Sequence, residues 1–235
     1  MIKRIARRTV NLLGIDIMRL RENTMLTLLG IRHMPIYTVI DVGANTGQFA
    51  RQARRLFPRA RLLCFEPLPG PFRELERWAS RQQNVTLFNM ALGDSEGPAK
   101  MFHHLEHSPS SSLLATTELS GKLYPFTKSQ STIDVPLRRL DTALSATGVQ
   151  LSPEVLIKVD VQGYEEHVIN GGKEMFSRAK ACVLELNVDP LYSGQANFDR
   201  IVLMLHDLGL NYAGNLEQNY DTDGHVIFLD AVFVR

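Results

Sequence analysis

The sequence has little of what marks a membrane, a disulfide scaffold or a nucleic-acid protein. No apolar stretch approaches the ~20 residues of a membrane span. The basic start lacks a signal-type apolar block with a small-residue cleavage site, so it is expected to be retained. Only two cysteines occur, Cys64 and Cys182, both inside apolar strand-like runs (RLLCFEP and KACVLEL). Two are too few for a disulfide framework and read as small buried hydrophobes in a cytoplasmic chain. There is no internal repeat and no long low-complexity tract. Excess charge is also scarce, at +1 overall, but unevenly placed: residues 1–34 hold seven basic against two acidic residues, and the rest holds 19 against 23. A body of charge −4 is a poor partner for nucleic acid, whose binding rests on phosphate neutralisation.

What is there divides near residue 35. Residues 1–35 read as a basic N-terminal helical segment, with Ile2, Ile5, Leu12, Leu13 and Ile17 near helical spacing. It suits either an interfacial helix peripheral to an anionic membrane or a helix packed on its own domain or on a second subunit of a homo-oligomer. From residue 36 the pattern turns to strand, turn, helix, repeatedly. Strands are expected at 36–42, 60–67, 85–92, 155–161, 181–188 and in a closing pair at 211–214 and 226–234. Helices are expected at 47–57, 72–82, 164–176 and 197–208. A βαβαβ order implies right-handed crossovers and a parallel sheet. Residues 36–235 therefore read as a single doubly wound α/β domain, mostly parallel with an antiparallel closing strand. A substrate-facing insertion occupies about 93–140, with short strands at 99–105 and 132–140.

Ligands of such sheets bind beyond the carboxyl ends of the strands, where strand order reverses. The first strand ends in VIDVGANTGQFA, where Gly43 and Gly47 open a turn into a helix. A dinucleotide turn prefers G-x-G-x-x-G; here Asn45 replaces the second glycine and Asp41 stands just before the turn. A carboxylate there repels a pyrophosphate and welcomes a cationic amino group, which favours a nucleoside bearing an amino acid over NAD. The second strand ends at Glu66, placed to accept hydrogen bonds from both ribose hydroxyls. Each signal alone is weak; together, in order, they point to a nucleoside site.

The segments IDVGANTGQF, CFEPLPGPF, NMALGD, SSSLL, LRRLDT and LIKVDVQGYE, in that order, resemble the FkbM-type family of S-adenosylmethionine-dependent methyltransferases over roughly residues 36–190. The resemblance implies a class I methyltransferase (Rossmann-like) fold and O-methylation of a sugar, glycolipid or natural-product hydroxyl. By position, Asp41, Gly43, Asn45 and Gly47 resemble the methionine-end loop, Glu66 the ribose acid, and Asn89, Ala91 and Leu92 the boundary of the adenine.

The chemistry is expected around LIKVDVQGYEEH. Alternation puts Lys158 and Asp160 on one face of the strand, and a lysine inside a covered strand is costly unless paired. The pair reads either as a site, with Asp160 on the cofactor's amino group or a substrate hydroxyl and Lys158 orienting it, or as a structural salt bridge. Glu165 reads equally as a first-turn acid or a substrate contact. Glu185, Asn187 and Asp189 end the neighbouring strand and, with Asp160, offer oxygens for Mg²⁺. Pairing of Glu185 with Lys158, and a turn at Asp189, explain the same residues without a metal, so Mg²⁺ is not favoured. His103, His104 and His107 lack a third zinc ligand at familiar spacing. His107, in the loop before SPSSS, is either a general base or a solvated histidine. The candidate catalytic residues are thus Asp160, Lys158, His107 and Glu185, and the expected partner is a small-molecule or glycan acceptor. The rival functions are methylation of RNA or protein, against which the acidic body and the lack of an NPPY-type motif count, and a non-catalytic membrane-recruited module.

Overall fold

A computed structural model of the chain describes residues 23–149 and 151–235. The expected basic helix at 2–20, with its membrane or subunit contact, lies outside them. The described chain opens with a helical turn, Thr24–Thr27, and a 3-10 segment, Leu28–His33. The α/β alternation follows: β1 (Thr38–Val42), α1 (Gln48–Leu56), β2 (Arg61–Phe65), α2 (Pro69–Ala79) and β3 (Val85–Phe88). Next come β4 (Ala91–Leu92), β5 (Gly97–His104), α3 (Glu118–Leu123), β6 (Gln130–Arg138) and α4 (Leu140–Ala146). The last third holds β7 (Val155–Val159), α5 (Glu165–Gly171), α6 (Lys173–Arg178), β8 (Ala181–Asn187), α7 (Phe198–Asp207), β9 (Asn211–Tyr220) and β10 (Val226–Val234).

Seven strands form the central sheet in the order β3-β2-β1-β7-β8-β10-β9. The first five are parallel, and β10 runs antiparallel to both β8 and β9. The closing strand therefore slots in between β8 and β9, leaving β9 at the edge. Order reverses between β1 and β7, which places the ligand crevice at their carboxyl ends. All five residues of β1 are buried, as expected for a strand covered on both faces. The faces differ in chemistry. On one, Ile40, Phe65, Ile157, Leu184 and Phe233 pack under α4–α7. The other packs Val39, Leu62, Leu156 and Val232 under α1 and the 3-10 segment, and it also carries Asp41, Lys158, Glu185 and Asp230, which are neighbours in register. Cys64 and Cys182 are buried free thiols in different clusters. Among the described residues no helix is long and apolar enough to cross a membrane.

Several expected elements differ in extent. The strand expected over 85–92 is two: after β3, the Asn89 side chain donates to the carbonyls of Glu66 and Pro67. The chain turns there, and β4 pairs instead with β6 in a second sheet of order β4-β6-β5. The helix expected over 164–176 breaks at Gly172, whose φ of −127° is not helical. A Cβ on the preceding Gly171 would lie 1.8 Å from the Gly93 carbonyl, so the β4 turn presses against the break. Helix α2 starts three residues early because Pro69 is tolerated in a first turn. Helices α3 and α4 were not expected at all; at six and seven residues they are too short to show a periodic stripe.

Candidate active site

The turn after β1 is tied down before it meets any ligand. The amides of Gly43 and Ala44 donate to the Phe65 carbonyl at 3.0 and 2.9 Å. Gly43 has φ +75°, and a Cβ there would lie 1.9 Å from the Asp160 carbonyl oxygen. Its glycine is thus required by the close approach of the β7 end. Asn45, at φ +47°, caps its own turn by accepting from the Thr46 amide. Gly47 begins α1 at φ +93°, with Leu75 2.9 Å from where its Cβ would be.

Glu66 is 3% exposed, and each carboxylate oxygen accepts one backbone amide: Asn45 at 2.8 Å and Leu68 at 2.7 Å. Burial pushes its carboxyl up to about 7, against the pull of those amides. Two lone pairs remain for a donor in the crevice. Asn89 uses its carboxamide on the backbone behind Glu66, whereas Met90, Ala91 and Leu92 border a cavity of about 320 Å³. That cavity is of the size that holds a small ligand. It runs from Glu66 past Asn45 to Lys158, Asp160, Glu185 and Asp230, with Tyr164 also on its wall. The Tyr164 ring stacks on His167 at 4.1 Å, and His167 is held by Asp94 at 2.9 Å.

Asp41 is fully buried and makes no hydrogen bond; Lys158 Nζ lies 3.6 Å away. The same ammonium sits 3.2 Å from Asp160 and donates to the Gly43 carbonyl at 3.0 Å. Burial opposes charge on Lys158, but Asp160 and Asp41 outweigh it and hold its pKa up. Asp41 is raised by burial. It is therefore Asp160, one-third exposed, that presents a carboxylate to the cavity, with Asp41 behind Lys158.

Asp160 and Glu185 are joined by Gln162, whose amide donates to both. Gln162 stands at φ +58°, and its side-chain Oε1 accepts from the Tyr192 hydroxyl at 2.6 Å. Glu185 is raised well above the ordinary range by burial first, then by Asp160 and Asp230, while burial lifts Asp230 to about 6. Glu165 accepts from the Val161 and Gly163 amides at 3.2 Å each, so it clamps the loop that carries Gln162. Gln162, Tyr192 and Asp230 escaped the sequence reading. The only available signal was a polar residue facing inward at the end of an apolar strand.

Asp160, Glu185, Asn187 and Asp189 do not gather as one oxygen cage. Asp189 is bonded to His225 at 2.9 Å, and Asn187 reaches Gln195. Among the described residues, the one His/Cys/Asp/Glu group close enough to share an ion is Asp221, half-buried, with the exposed Asp223 and His225. His104 is buried and His107 exposed, its Nδ1 2.9 Å from the Ser110 hydroxyl. The segment 108–114 forms a partition. Ser111 and Leu113 face the large cavity, and Ser110 and His107 border a second one of about 220 Å³, which also meets Asp160 and Glu185.

A family model described as the methyltransferase FkbM domain matches residues 41–212. The chain is 30% identical over 189 residues to the 2-O-methyltransferase NoeI of Sinorhizobium fredii, covering 76% of this chain and 74% of that protein. It is 30% identical over 160 residues to the methyltransferase sdnD of Sordaria araneosa, covering 58% and 60%. Among solved structures, a methyltransferase FkbM from Methylobacillus flagellatus superposes with a TM-score of 0.52 at 12% identity, over 85% of this chain and 44% of that one. That likeness establishes the class I fold.

Proposed function

The chain belongs to the FkbM family of methyltransferases, and we propose that it moves a methyl group from S-adenosylmethionine to a hydroxyl of a sugar, glycolipid or natural-product acceptor. The single observation that carries this reading is the split character of the crevice. A buried carboxylate at Glu66 suits a vicinal diol, and carboxylates at Asp160 and Glu185, with one lysine, suit a cationic reacting centre. The residues present fit the nucleoside: Glu66 would accept from its ribose, Ala91 and Leu92 would bound its base, and Lys158 and Asp160 would meet its charged tail. When bound, S-adenosylmethionine supplies a methyl group on a cationic sulfur.

The chain's own part is to align and deprotonate the acceptor. Glu185 borders both cavities, makes no ion pair among the described residues, and has a carboxyl whose hold on a proton is strengthened by burial, so it is the group suited to take the hydroxyl proton. Asp160 is instead tied to Lys158 by their 3.2 Å ion pair. The chain would hold the acceptor hydroxyl toward that methyl group, and Glu185 would take the proton the hydroxyl gives up. The 30% identity to a protein named as a 2-O-methyltransferase supports oxygen as the acceptor atom. The test is methyl release from radiolabelled S-adenosylmethionine with hydroxyl acceptors, RNA and protein offered in parallel. Label found only on RNA or protein overturns the reading, as does binding of the nucleoside with no transfer to any of the three.

A further inference from the structure

Pro109, Asp160 and Glu185 border both cavities and form a shared wall, and beyond it lies the second cavity. Its volume of about 220 Å³ equals roughly seven waters of liquid, room for one ring and not for an oligomer. Three half-buried aromatic residues border it: Tyr124 and Phe126 from the insertion, and Phe228 from β10. Tyr124 stands 5.8 Å from Phe126 and 6.5 Å from Phe228, ring centre to ring centre, and His107 tilts against Phe126 at 4.7 Å. Hydroxyls of Ser110, Ser120, Thr127 and Tyr192 line the remainder. Among the described residues neither lysine nor arginine borders it, and its acidic groups are Asp160 and Glu185.

We propose that this second cavity is the acceptor subsite, and that it takes an uncharged ring with an apolar face and hydroxyls at its edge while rejecting acceptors whose ring bears an anionic group. This deepens the reading of the chain as an O-methyltransferase and rests on it. The position follows from the shared wall: a ring seated there puts an edge hydroxyl against Glu185, with the cofactor cavity on the other side. Aromatic rings left half exposed gain by being covered with an apolar ring face. The charge rule follows from the wall. A second anion about 5 Å from this wall is disfavoured on the order of a hundredfold at the effective dielectric of a protein surface, because Lys158 borders the other cavity and is already shared by Asp160 and Asp41. Selection of the acceptor is thus assigned to the insertion and the β8–β10 end, and cofactor binding to the ends of β1, β2 and β7 with β4.

The experiment uses the full chain saturated with S-adenosylhomocysteine. The probes are neutral methyl glycosides (gluco, galacto, manno, fuco and rhamno) and the matching methyl glycuronides. Binding is followed by saturation-transfer NMR and titration calorimetry, and transfer by radiolabel. At least one neutral glycoside is expected to bind and accept methyl, with its glycuronide about a hundredfold weaker. F126A and, independently, F228L are expected to weaken that glycoside tenfold or more while S-adenosylhomocysteine affinity stays within twofold. Equal use of neutral and anionic partners overturns the charge rule. Unchanged acceptor KM in both variants, or no binding by any neutral glycoside, overturns the subsite. Failure to bind S-adenosylhomocysteine at all would instead sink the methyltransferase reading, which keeps the two apart.

Discussion

The two sides of the crevice hold their carboxylates by different means. On the β1–β2 side, Glu66 is gripped by two backbone amides, and Asn89 steadies the carbonyls beneath it. On the β7–β8 side, Asp160 and Glu185 are held by side chains: the Lys158 ammonium and the Gln162 amide, itself braced by Tyr192. A grip made of backbone gives one geometry, because the amides cannot leave without unfolding the turn. A grip made of side chains leaves protons and partners exchangeable, which suits a group that must take a proton in each cycle. On the proposed reading, recognition and chemistry part at the point where the strand order reverses.

Substitutions on the two sides should then fail differently. The largest effect is expected from E185Q, which lowers kcat by about 10²–10⁴-fold and leaves S-adenosylhomocysteine affinity within twofold by calorimetry. Near-normal turnover in that variant would move the proton acceptor elsewhere. Next is K158M, which leaves Asp41 and Asp160 without their cation. Denaturant melts should show a loss of about 3 kcal/mol, near the low end for a broken buried pair because Asp160 keeps some water. E66Q follows, costing cofactor affinity on the order of a hundredfold through lost charge-assisted hydrogen bonds, with turnover at saturation largely kept. A variant that binds normally but turns over slowly would erase the contrast between the sides.

A smaller effect concerns pH. Burial raises Glu66 and Glu165 to about 7 and Asp230 to about 6, all above their unfolded values. The folded chain therefore keeps protons that the unfolded chain has released between about pH 4 and 7. That stability is complete below the unfolded values and is lost as pH rises through the folded ones. The ligand-free protein should melt roughly 5 °C lower at pH 8 than at pH 5.5 by calorimetry. Cofactor affinity should move the other way, rising through pH 7 as Glu66 ionises and accepts from the ribose. The smallest effect is expected from H107A: the ring is exposed and borders only the second cavity, so kcat should change less than about threefold, below the range of a lost general base.

How much of this was legible beforehand depends on how local each signal is. The glycine turn, Glu66 and the Lys158–Asp160 alternation sit within single strands and turns, and all could be read from spacing. Asp41 was legible as an acid before the turn, but its place behind Lys158 was not, since that needs β1 and β7 paired in register. The Asp189 carboxylate was equally visible, yet its partner, His225, stands 36 residues away. Helix α3 and the turns of the insertion gave no periodic signal, and they build the outer cavity.

The sequence by itself determined the succession of the main strands and longer helices, the parallel sheet and the acids at its strand ends. Periodicity and turn chemistry act over a few residues and are written in them directly. Only the tertiary structure decided that Gln162 would reach Glu185 across 23 residues and Tyr192 across 30, and that the insertion would wall off a second cavity. Those contacts are set by strand pairing and by the left-handed turn at Gln162, and no local pattern encodes which distant side chains will meet.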